Sequence, residues 1–140
     1  MKEELLSHTL QSMYRVISFA EGDEPDWDGM KQVFAPNARL TRITPDRVEH
    51  FDLASFQLMA QEMLDLGIYT GFYEHEIARR AEIFGALAHV LSVYETKRDA
   101  MAAGYLGRGL ISLLTRACTW RPSYCGMYQF TWFATAAWNR

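Results

Sequence analysis

The stretch GFYEHEIARRAEIFGALAHVLSVYETK, residues 71–97, decides the fold of this chain. It predicts two long strands that meet at a tight turn at Gly85, with His75 on the first strand and His89 on the second. Whether each histidine faces a pocket, a partner or water depends on how the two strands pair.

One pairing follows if Phe84 and Gly85 form a two-residue turn, because His75 then lies opposite Tyr94. One face of the hairpin is then mainly apolar with a few polar groups, which is typical of a ligand pocket. That face carries Tyr73, His75, Ile77, Arg79, Ala81, Val90, Ser92 and Tyr94. The other face is a charged mixture suited to water or a polar dimer interface. It carries Glu74, Glu76, Arg80, Glu82, His89, Leu91, Val93 and Glu95.

A second pairing follows from a three-residue turn, which shifts one strand by a single position against the other. His75 then lies opposite Glu95, and His89 lies opposite Ala81. This register places a histidine and a carboxylate side by side on one face. The hairpin alone leaves both registers open.

Three helices are predicted before the hairpin. Residues 2–20 have apolar side chains at three- and four-residue steps, residues 26–34 begin with Asp26 as an N-cap, and residues 52–67 end at Gly67. The expected buried stripe of the third helix consists of Leu53, Phe56, Met59, Met63 and Leu66.

Strands account for most of the remaining chain. Pro36 and Asn37 predict a turn before a short strand at residues 38–43, and a connection at residues 44–51 leaves room for another strand. After the hairpin, residues 107–120 and 123–135 are strand-like, with a turn at Pro122 between them.

This order of elements predicts the fold class. Helices at the beginning and antiparallel strands at the end indicate an α+β layer with a strongly curved, mostly antiparallel sheet wrapped around the N-terminal helices. We expect a cone-shaped α+β barrel in a single domain of residues 1–140, since 140 residues is close to the commonest domain size.

Composition and charge exclude several classes of function. A net charge of −3 without a basic stripe argues against nucleic-acid binding, and the chain has no apolar run long enough to cross a membrane. Because residues 1–16 lack the apolar core of a signal peptide, we expect a cytoplasmic protein, with Cys118 and Cys125 as reduced thiols. The four histidines show no ligand spacing, so no metal is predicted.

Charge is unevenly distributed along the chain. All 17 acidic residues lie at or before Asp99, whereas residues 100–140 contain four arginines and no acid. The stretch MYQFTWFATAAW, residues 127–138, combines low charge with high β-propensity. An exposed edge of this kind would aggregate, so we expect a central strand here.

Two stretches carry a family resemblance. DWDGMKQVFAPNARL, residues 26–40, resembles the helix-to-strand entry of the nuclear transport factor 2-like superfamily, which includes SnoaL-like polyketide cyclases, ketosteroid isomerases and scytalone dehydratases. The hairpin, followed by RGLISL, resembles an uncharacterised bacterial branch of the same superfamily. After Thr115 the sequence departs from the pattern of that superfamily.

The resemblance implies an apolar cavity between the first helices and the concave face of the sheet, and a homodimer built on the convex face. It favours the first hairpin register, because cavity-lining positions of the isomerases align with Val90, Ser92 and Tyr94. It does not imply one activity, because one fold supports many functions.

Steroid-isomerase chemistry is excluded by the same alignment. Tyr14 matches the phenolic donor of the isomerases, but their catalytic aspartate falls at Arg42, and their second acid falls within residues 110–112. Neither position supplies a carboxyl group.

His75 is the candidate general acid–base, because the pKa of an unperturbed histidine lies near neutrality. Arg79 and Tyr14 complete the candidate catalytic set, Arg79 by holding a developing negative charge and Tyr14 by donating a hydrogen bond. A structural role for His75, bonded to Tyr94 or to a backbone carbonyl, is the alternative. The candidate ligand-binding residues are Tyr94, Ser92, Val90, Trp27, Phe56, Met59 and Ser112.

Two functions are consistent with these residues. The first is a cofactor-independent lyase, isomerase or cyclase that acts on a small apolar or aromatic molecule. The second is a non-catalytic ligand-binding or dimeric assembly module of the same fold. A catalytic His75 should border an open cavity, whereas a structural one should be enclosed and fully bonded.

Overall fold

The computed structural model describes residues 1–68, 70–117 and 126–134. These residues form three helices and six strands. In chain order they are α1 (Glu3–Ile17), α2 (Trp27–Val33), β1 (Phe34–Ile43), β2 (Val48–Phe51), α3 (Leu53–Asp65), β3 (Tyr73–Phe84), β4 (Leu87–Lys97), β5 (Gly107–Arg116) and β6 (Gly126–Ala134).

The six strands form one mixed sheet in the order β2-β1-β6-β5-β4-β3. Only β1 and β6 pair in parallel; the other neighbours are antiparallel. The predicted α+β class and mostly antiparallel sheet are therefore confirmed. Within the described residues the sheet stays open between its edge strands β2 and β3 and does not close into a barrel.

The position of β6 confirms the central strand predicted from its low charge. It lies between β1 and β5, so both of its edges are hydrogen-bonded and neither is available to another chain. Cys118, Pro122 and Cys125 lie outside the described residues. The reduced thiols and the turn predicted for them therefore stay predictions.

The helix caps agree with the sequence. The Asp26 carboxylate accepts a hydrogen bond from the Gly29 backbone N–H at 2.9 Å, and Asp52 and Ser55 form a capping box at the start of α3. Gly67 follows α3 with φ of 72°, a conformation that favours glycine. The first helix ends at Ile17, three residues earlier than predicted, because Ser18 is already extended.

Two local predictions were wrong. Pro36 and Asn37 do not form a turn; they lie inside β1, where the pairing with β6 shifts between Phe34 and Arg39. This irregularity accommodates a proline that cannot donate a ladder hydrogen bond. Leu66 is 69% exposed because α3 ends one residue before it, and the other four residues of the predicted buried stripe are only half-buried.

The core lies between α1 and the concave face of the sheet. Leu6, Leu10 and Met13 of α1 are buried in one cluster with Val90 and Ile111 of the sheet. Burying one such side chain stabilises the fold by about 1.5–3 kcal/mol, so α1 is firmly attached to the sheet. The other apolar members of the cluster come from α2, β1 and β6, among others.

The β3–β4 hairpin follows neither predicted register along its whole length. Its turn is formed by Gly85 and Ala86, with Phe84 opposite Leu87, one residue later than the first register assumes. Farther from the turn, Ile77 forms a bulge: it is an extra residue of β3 that has no partner in β4, so the pairing beyond it shifts by one position.

The bulge decides which face each histidine occupies. His75 lies opposite Glu95, as in the second register, and not opposite Tyr94. Near the turn, His89 lies opposite Glu82 and not opposite Ala81. The second register is therefore correct only before the bulge, and the first register is wrong.

Among the described residues, no helix has the length and apolar character needed to cross a membrane.

Candidate functional site

A cavity of about 120 Å³ lies between the helices and the concave face of the sheet. Its wall is almost entirely apolar and rich in aromatic rings, which is typical of small-molecule sites. The apolar and aromatic residues are Ile17, Phe19, Pro25, Trp27, Met30, Phe34, Leu40, Phe56, Met59, Ala60, Met63, Leu64, Phe72, Tyr94, Phe130 and Trp132. Arg42 and Glu74 are the charged residues of the wall.

Aromatic packing builds one end of the cavity. The ring centroids of Phe56 and Trp132 are 5.8 Å apart in an edge-to-face arrangement, and Phe130 lies 5.7 Å from Trp132. Phe51 stacks on Trp132 at 6.2 Å. Such pairs add about 0.5–1.5 kcal/mol beyond burial, so this end of the wall is rigid.

Glu74 lies at the other end of the cavity and is only 5% exposed. Its position is fixed through its backbone, since the Ser18 hydroxyl accepts a hydrogen bond from the Glu74 N–H at 3.0 Å. Within residues 1–68, 70–117 and 126–134, no hydrogen bond or ion pair joins the Glu74 carboxyl group to another residue, and desolvation is the sole cause of its pKa shift. Burial raises the pKa of Glu74 to about 8, so the carboxyl group is mostly protonated at pH 7.

Arg42 differs from Glu74 in having its charge already paired. Its Nε and Nη2 atoms donate to Oε1 of Glu49 at 3.1 and 2.7 Å, and its Nη1 lies 3.9 Å from Sδ of Met59. Arg42 and Glu49 face each other across β1 and β2. The guanidinium group therefore borders the cavity with a positive charge that the Glu49 carboxylate already compensates.

Trp27 contributes an unused donor. Its indole Nε1–H is buried and has no acceptor among the described residues. Because a buried donor without a partner costs free energy, an acceptor atom supplied by a ligand would stabilise this part of the wall.

The Tyr94 side chain lines the cavity, and its phenol packs against Gly109. Its hydroxyl group donates to the backbone carbonyl of Phe133 at 3.5 Å, and a side chain at Gly109 would collide with both groups. Gly109 pairs with Tyr94 across β4 and β5, so the missing side chain leaves room for the phenol.

No protein-family model matches the chain, and no curated protein matches it. Solved structures do. A protein of unknown function with a cystatin-like fold from Nostoc punctiforme has a TM-score of 0.62 at 11% identity, covering 96% of this chain and 88% of that chain. An NTF-2 like protein of unknown function from Silicibacter pomeroyi has a TM-score of 0.61 at 12% identity, covering 96% and 100%.

A nuclear transport factor 2-like superfamily protein from Salmonella enterica serovar Typhimurium has a TM-score of 0.62 at 13% identity, covering 96% of this chain and 91% of that chain. This chain has the nuclear transport factor 2-like fold. The resemblance carried by residues 26–40 and by the hairpin is confirmed at the level of the fold. Sequence identities of 11–13% show a shared fold and no shared activity, so the function has to be argued from the residues of the site.

The predicted catalytic residues lie beside the cavity of this nuclear transport factor 2-like cone, and none of them lines it. Tyr14, His75 and Arg79 line an open groove between α1 and β3. Glu74 lines both the groove and the cavity, so it forms part of the wall between them.

His75 lies on the outer face of the sheet. Its Nε2 atom is 3.7 Å from Oε1 of Glu95, and its ring stacks on Tyr73 with centroids 5.4 Å apart. The Glu95 carboxylate also accepts from Nε of Arg108 at 2.9 Å. The Nδ1 atom of His75 is buried and has no partner among the described residues. His75 therefore meets neither description, since it borders the groove and not the cavity, and it is neither enclosed nor fully bonded.

Tyr14 and Arg79 belong to one hydrogen-bond chain that attaches α1 to the hairpin. The Tyr14 and Ser92 hydroxyl groups lie 2.6 Å apart, and the Ser92 hydroxyl group donates to the Glu76 carboxylate. Arg79 pairs with Glu76 at 2.8 Å and donates to the Ser7 hydroxyl at 2.9 Å. Burial raises the pKa of Tyr14, and the Ser92 hydrogen bond only partly opposes this effect.

The predicted ligand-binding residues divide into two groups. Tyr94, Trp27, Phe56 and Met59 line the cavity. Three others do not: Val90 is packed in the core, the Ser92 hydroxyl is bonded to Tyr14 and Glu76, and the Ser112 hydroxyl lies 3.2 Å from Nε2 of His89.

The prediction missed Glu74, which it placed on a solvated outer face. The error follows from the hairpin register, because β3 before the bulge presents Glu74 and Glu76 to the same face as Tyr94. The second register would have identified Glu74, because pairing His75 with Glu95 places Glu74 on the same face as Tyr94. Among the described residues, no group of three or more His, Cys, Asp or Glu side chains could hold a metal ion.

Proposed function

We propose that this protein binds a small apolar or aromatic molecule in the cavity, and that Glu74 holds the polar end of that molecule. The observation that carries the proposal is a buried carboxyl group that borders a mostly apolar cavity and has no partner among the described residues. Burying a polar group without a hydrogen bond is costly. A ligand that supplies the missing bond recovers part of that cost.

The volume of the cavity sets the size of the ligand. At about 120 Å³ it is slightly smaller than the engineered cavity of about 150 Å³ that binds benzene. The cavity therefore has room for a single six-membered ring, and a polar substituent on that ring would extend toward the groove that Glu74 also borders. The indole N–H of Trp27 offers a second polar contact for an acceptor atom.

The binding proposal is tested by filling the cavity. Ala60 lines the cavity on α3, whereas Ala54 is exposed on the same helix. We expect cyclohexanol to cause saturable shifts of backbone amide signals in NMR spectra of the wild type and of Ala54→Phe. Ala60→Phe should abolish these shifts. Equal binding to both variants would show that the ligand does not enter the cavity.

Acid–base catalysis by Glu74 is the second candidate function. The observation that favours it is the burial of the Glu74 carboxyl group in the cavity wall, which raises its pKa to about 8 and so suits proton transfer in either direction near neutral pH. The reaction would be a cofactor-independent isomerisation, elimination or cyclisation. We assign the acid–base role to Glu74 and not to His75, because Glu74 borders the cavity.

A simple exchange reaction tests this candidate. Exchange of the protons next to the carbonyl of cyclohexanone with deuterium oxide is followed by NMR, and it needs only a base and a way to stabilise the enolate. We expect wild-type protein and His75→Gln to accelerate the exchange and Glu74→Gln to lose the acceleration. Loss of activity in His75→Gln alone would return the acid–base role to the histidine.

We also propose a homodimer through the convex face of the sheet. Val93, Leu110 and Phe133 form a row across three neighbouring strands on the face opposite the core. Phe133 is 39% exposed, although an apolar side chain of this size is stabilised by burial. A second copy of the chain that presents the same row would cover it.

A further inference from the structure

We infer that the preferred ligand of the cavity is a small protonated amine with a single-ring apolar body. The inference rests on the proposed binding function and narrows it to one chemical class. Three features support it: the Glu74 carboxyl group without a partner among the described residues, the aromatic rings of the same cavity wall, and an acidic depression that adjoins the cavity.

Glu74 requires donors. Its carboxyl group accepts no hydrogen bond within the described part of the chain, although an ionised carboxylate can accept several. A protonated amine supplies up to three N–H donors and an opposite charge, which a neutral alcohol or ketone does not. An anionic ligand would meet a carboxyl group that either repels it or must stay protonated.

The aromatic rings next to Glu74 favour the same charge. Phe72 precedes Glu74 by two residues, and its ring stacks on that of Phe19 with centroids 6.1 Å apart. Both rings line the cavity, as do Trp27 and Tyr94. The faces of aromatic rings attract cations, and this attraction is strongest in a desolvated site.

The surface near the cavity is acidic. Glu21, Asp23 and Glu24 line a depression that borders the cavity, because Leu64 contributes to the wall of both. The described residues that line this depression include no basic side chain. A cleft lined by charges of one sign concentrates ligands of the opposite sign, so this depression favours cations close to the cavity.

Arg42 is the feature that opposes a cationic ligand. It lies on β1, whereas Glu74 lies on β3, and these strands are separated by β6, β5 and β4 in the sheet. Two of its nitrogen atoms donate to Glu49. Because its charge is already compensated and lies across the sheet, Arg42 weakens the preference for cations without reversing it.

Binding of an amine should release a proton. At pH 7 the Glu74 carboxyl group is mostly protonated; pairing with an ammonium group favours the carboxylate, and the carboxyl proton passes to the solvent. Other charged or titratable groups surround Glu74 from the elements packed against it. They are Tyr14 and Arg15 of α1, His75, Glu76 and Arg79 of β3, Asp99 after β4, and Arg42 across the cavity.

The experiment compares cyclohexylamine, which stays protonated from pH 6 to pH 9, with its neutral isostere cyclohexanol. Isothermal titration calorimetry at pH 7 in buffers of different ionisation enthalpy measures both affinity and proton release. Glu74→Gln removes the proposed partner. Glu82→Gln makes the same substitution at an exposed position of the same strand, away from the cavity.

For the wild type and Glu82→Gln, we expect cyclohexylamine to bind at least tenfold more tightly than cyclohexanol, with nearly one proton released. Glu74→Gln should lose both the preference and the proton release. Tighter or equal binding of cyclohexanol, without proton release, would overturn the inference and leave the proposed binding function intact. If neither molecule binds, the proposed function itself fails. Amine binding that is unchanged in Glu74→Gln overturns the inference by showing that surface charge attracts the amine.

Discussion

Glu74 lies opposite Thr96 across β3 and β4, and this pairing places its carboxyl group on the same face of the sheet as Tyr94. The neighbouring pair, His75 and Glu95, consequently faces the outside. One position along a strand thus separates a buried acid that lines the cavity from a histidine and a glutamate that pair on the opposite face of the sheet.

The stability of the protein should fall as the pH rises from about 5 to about 8.5, because of Glu74. Its pKa is raised from 4.5 in the unfolded chain to about 8 in the folded protein. The folded state therefore binds an extra proton between these values, and the stabilisation that the proton confers is lost as the pH passes through 8. The full effect is on the order of 4 kcal/mol.

Urea denaturation of wild type and Glu74→Gln at pH 5 and pH 8.5 measures this effect. The variant cannot ionise at this position, so the difference between the two proteins isolates Glu74 from all other titrating groups. We expect the free energy of unfolding of Glu74→Gln to increase relative to that of the wild type as the pH rises. A constant difference across this range would mean that the Glu74 pKa is not raised.

Tyr14→Phe should reduce stability by about 1–2 kcal/mol, because it leaves the buried Ser92 hydroxyl with one partner fewer. Ser92→Ala should cost more, since it removes the partner of both Tyr14 and Glu76. A double-mutant cycle measured by urea denaturation gives the coupling between Tyr14 and Ser92. Additive effects of the two substitutions would contradict the hydrogen bond.

Deletion of Ile77 should be tolerated. Ile77 is the residue without a partner in the ladder, so Glu76 still faces Tyr94 and Ala78 still faces Val93 after its removal. Deletion of Ala81, which pairs with Val90, should instead move every residue on one side to the opposite face. Thermal unfolding distinguishes the two deletions, and equal loss of stability would argue against the bulge.

Gly109→Ala should destabilise the protein by about 1–3 kcal/mol. The added methyl group would overlap the Tyr94 hydroxyl and the Phe133 carbonyl, which belongs to the backbone and cannot move aside. Gly104→Ala is the matched control, because its added methyl group would meet only open space. Similar melting temperatures for the two variants would show that Tyr94 does not lie against Gly109.

If the protein is a homodimer, a charged substitution in the outer apolar row should halve its mass in solution. Val93→Arg places a charge in the centre of the outer apolar row and should convert the dimer to a monomer, as measured by light scattering coupled to size-exclusion chromatography. Lys31→Glu, at an exposed position on α2 and away from the outer face of the sheet, should leave the mass unchanged. A wild-type protein that is monomeric at high concentration would rule out the proposal.

The sequence by itself determined the features that depend on neighbouring residues. Asp26 and Asp52 cap their helices through bonds to residues three positions away, and these bonds could be predicted from spacing alone. The central position of β6 was also predictable, because a strand with so little charge is stable only when both of its edges are paired.

Only the tertiary structure decided which side chains form the site. Side chains alternate between the two faces of a strand, so a single bulged residue at Ile77 exchanges the faces of Glu74 and His75. Neither the sequence around Ile77 nor the turn at Gly85 specifies that bulge. It arises where β3 must satisfy its pairing with β4 and its packing against α1 together, and those constraints come from residues distant in the chain.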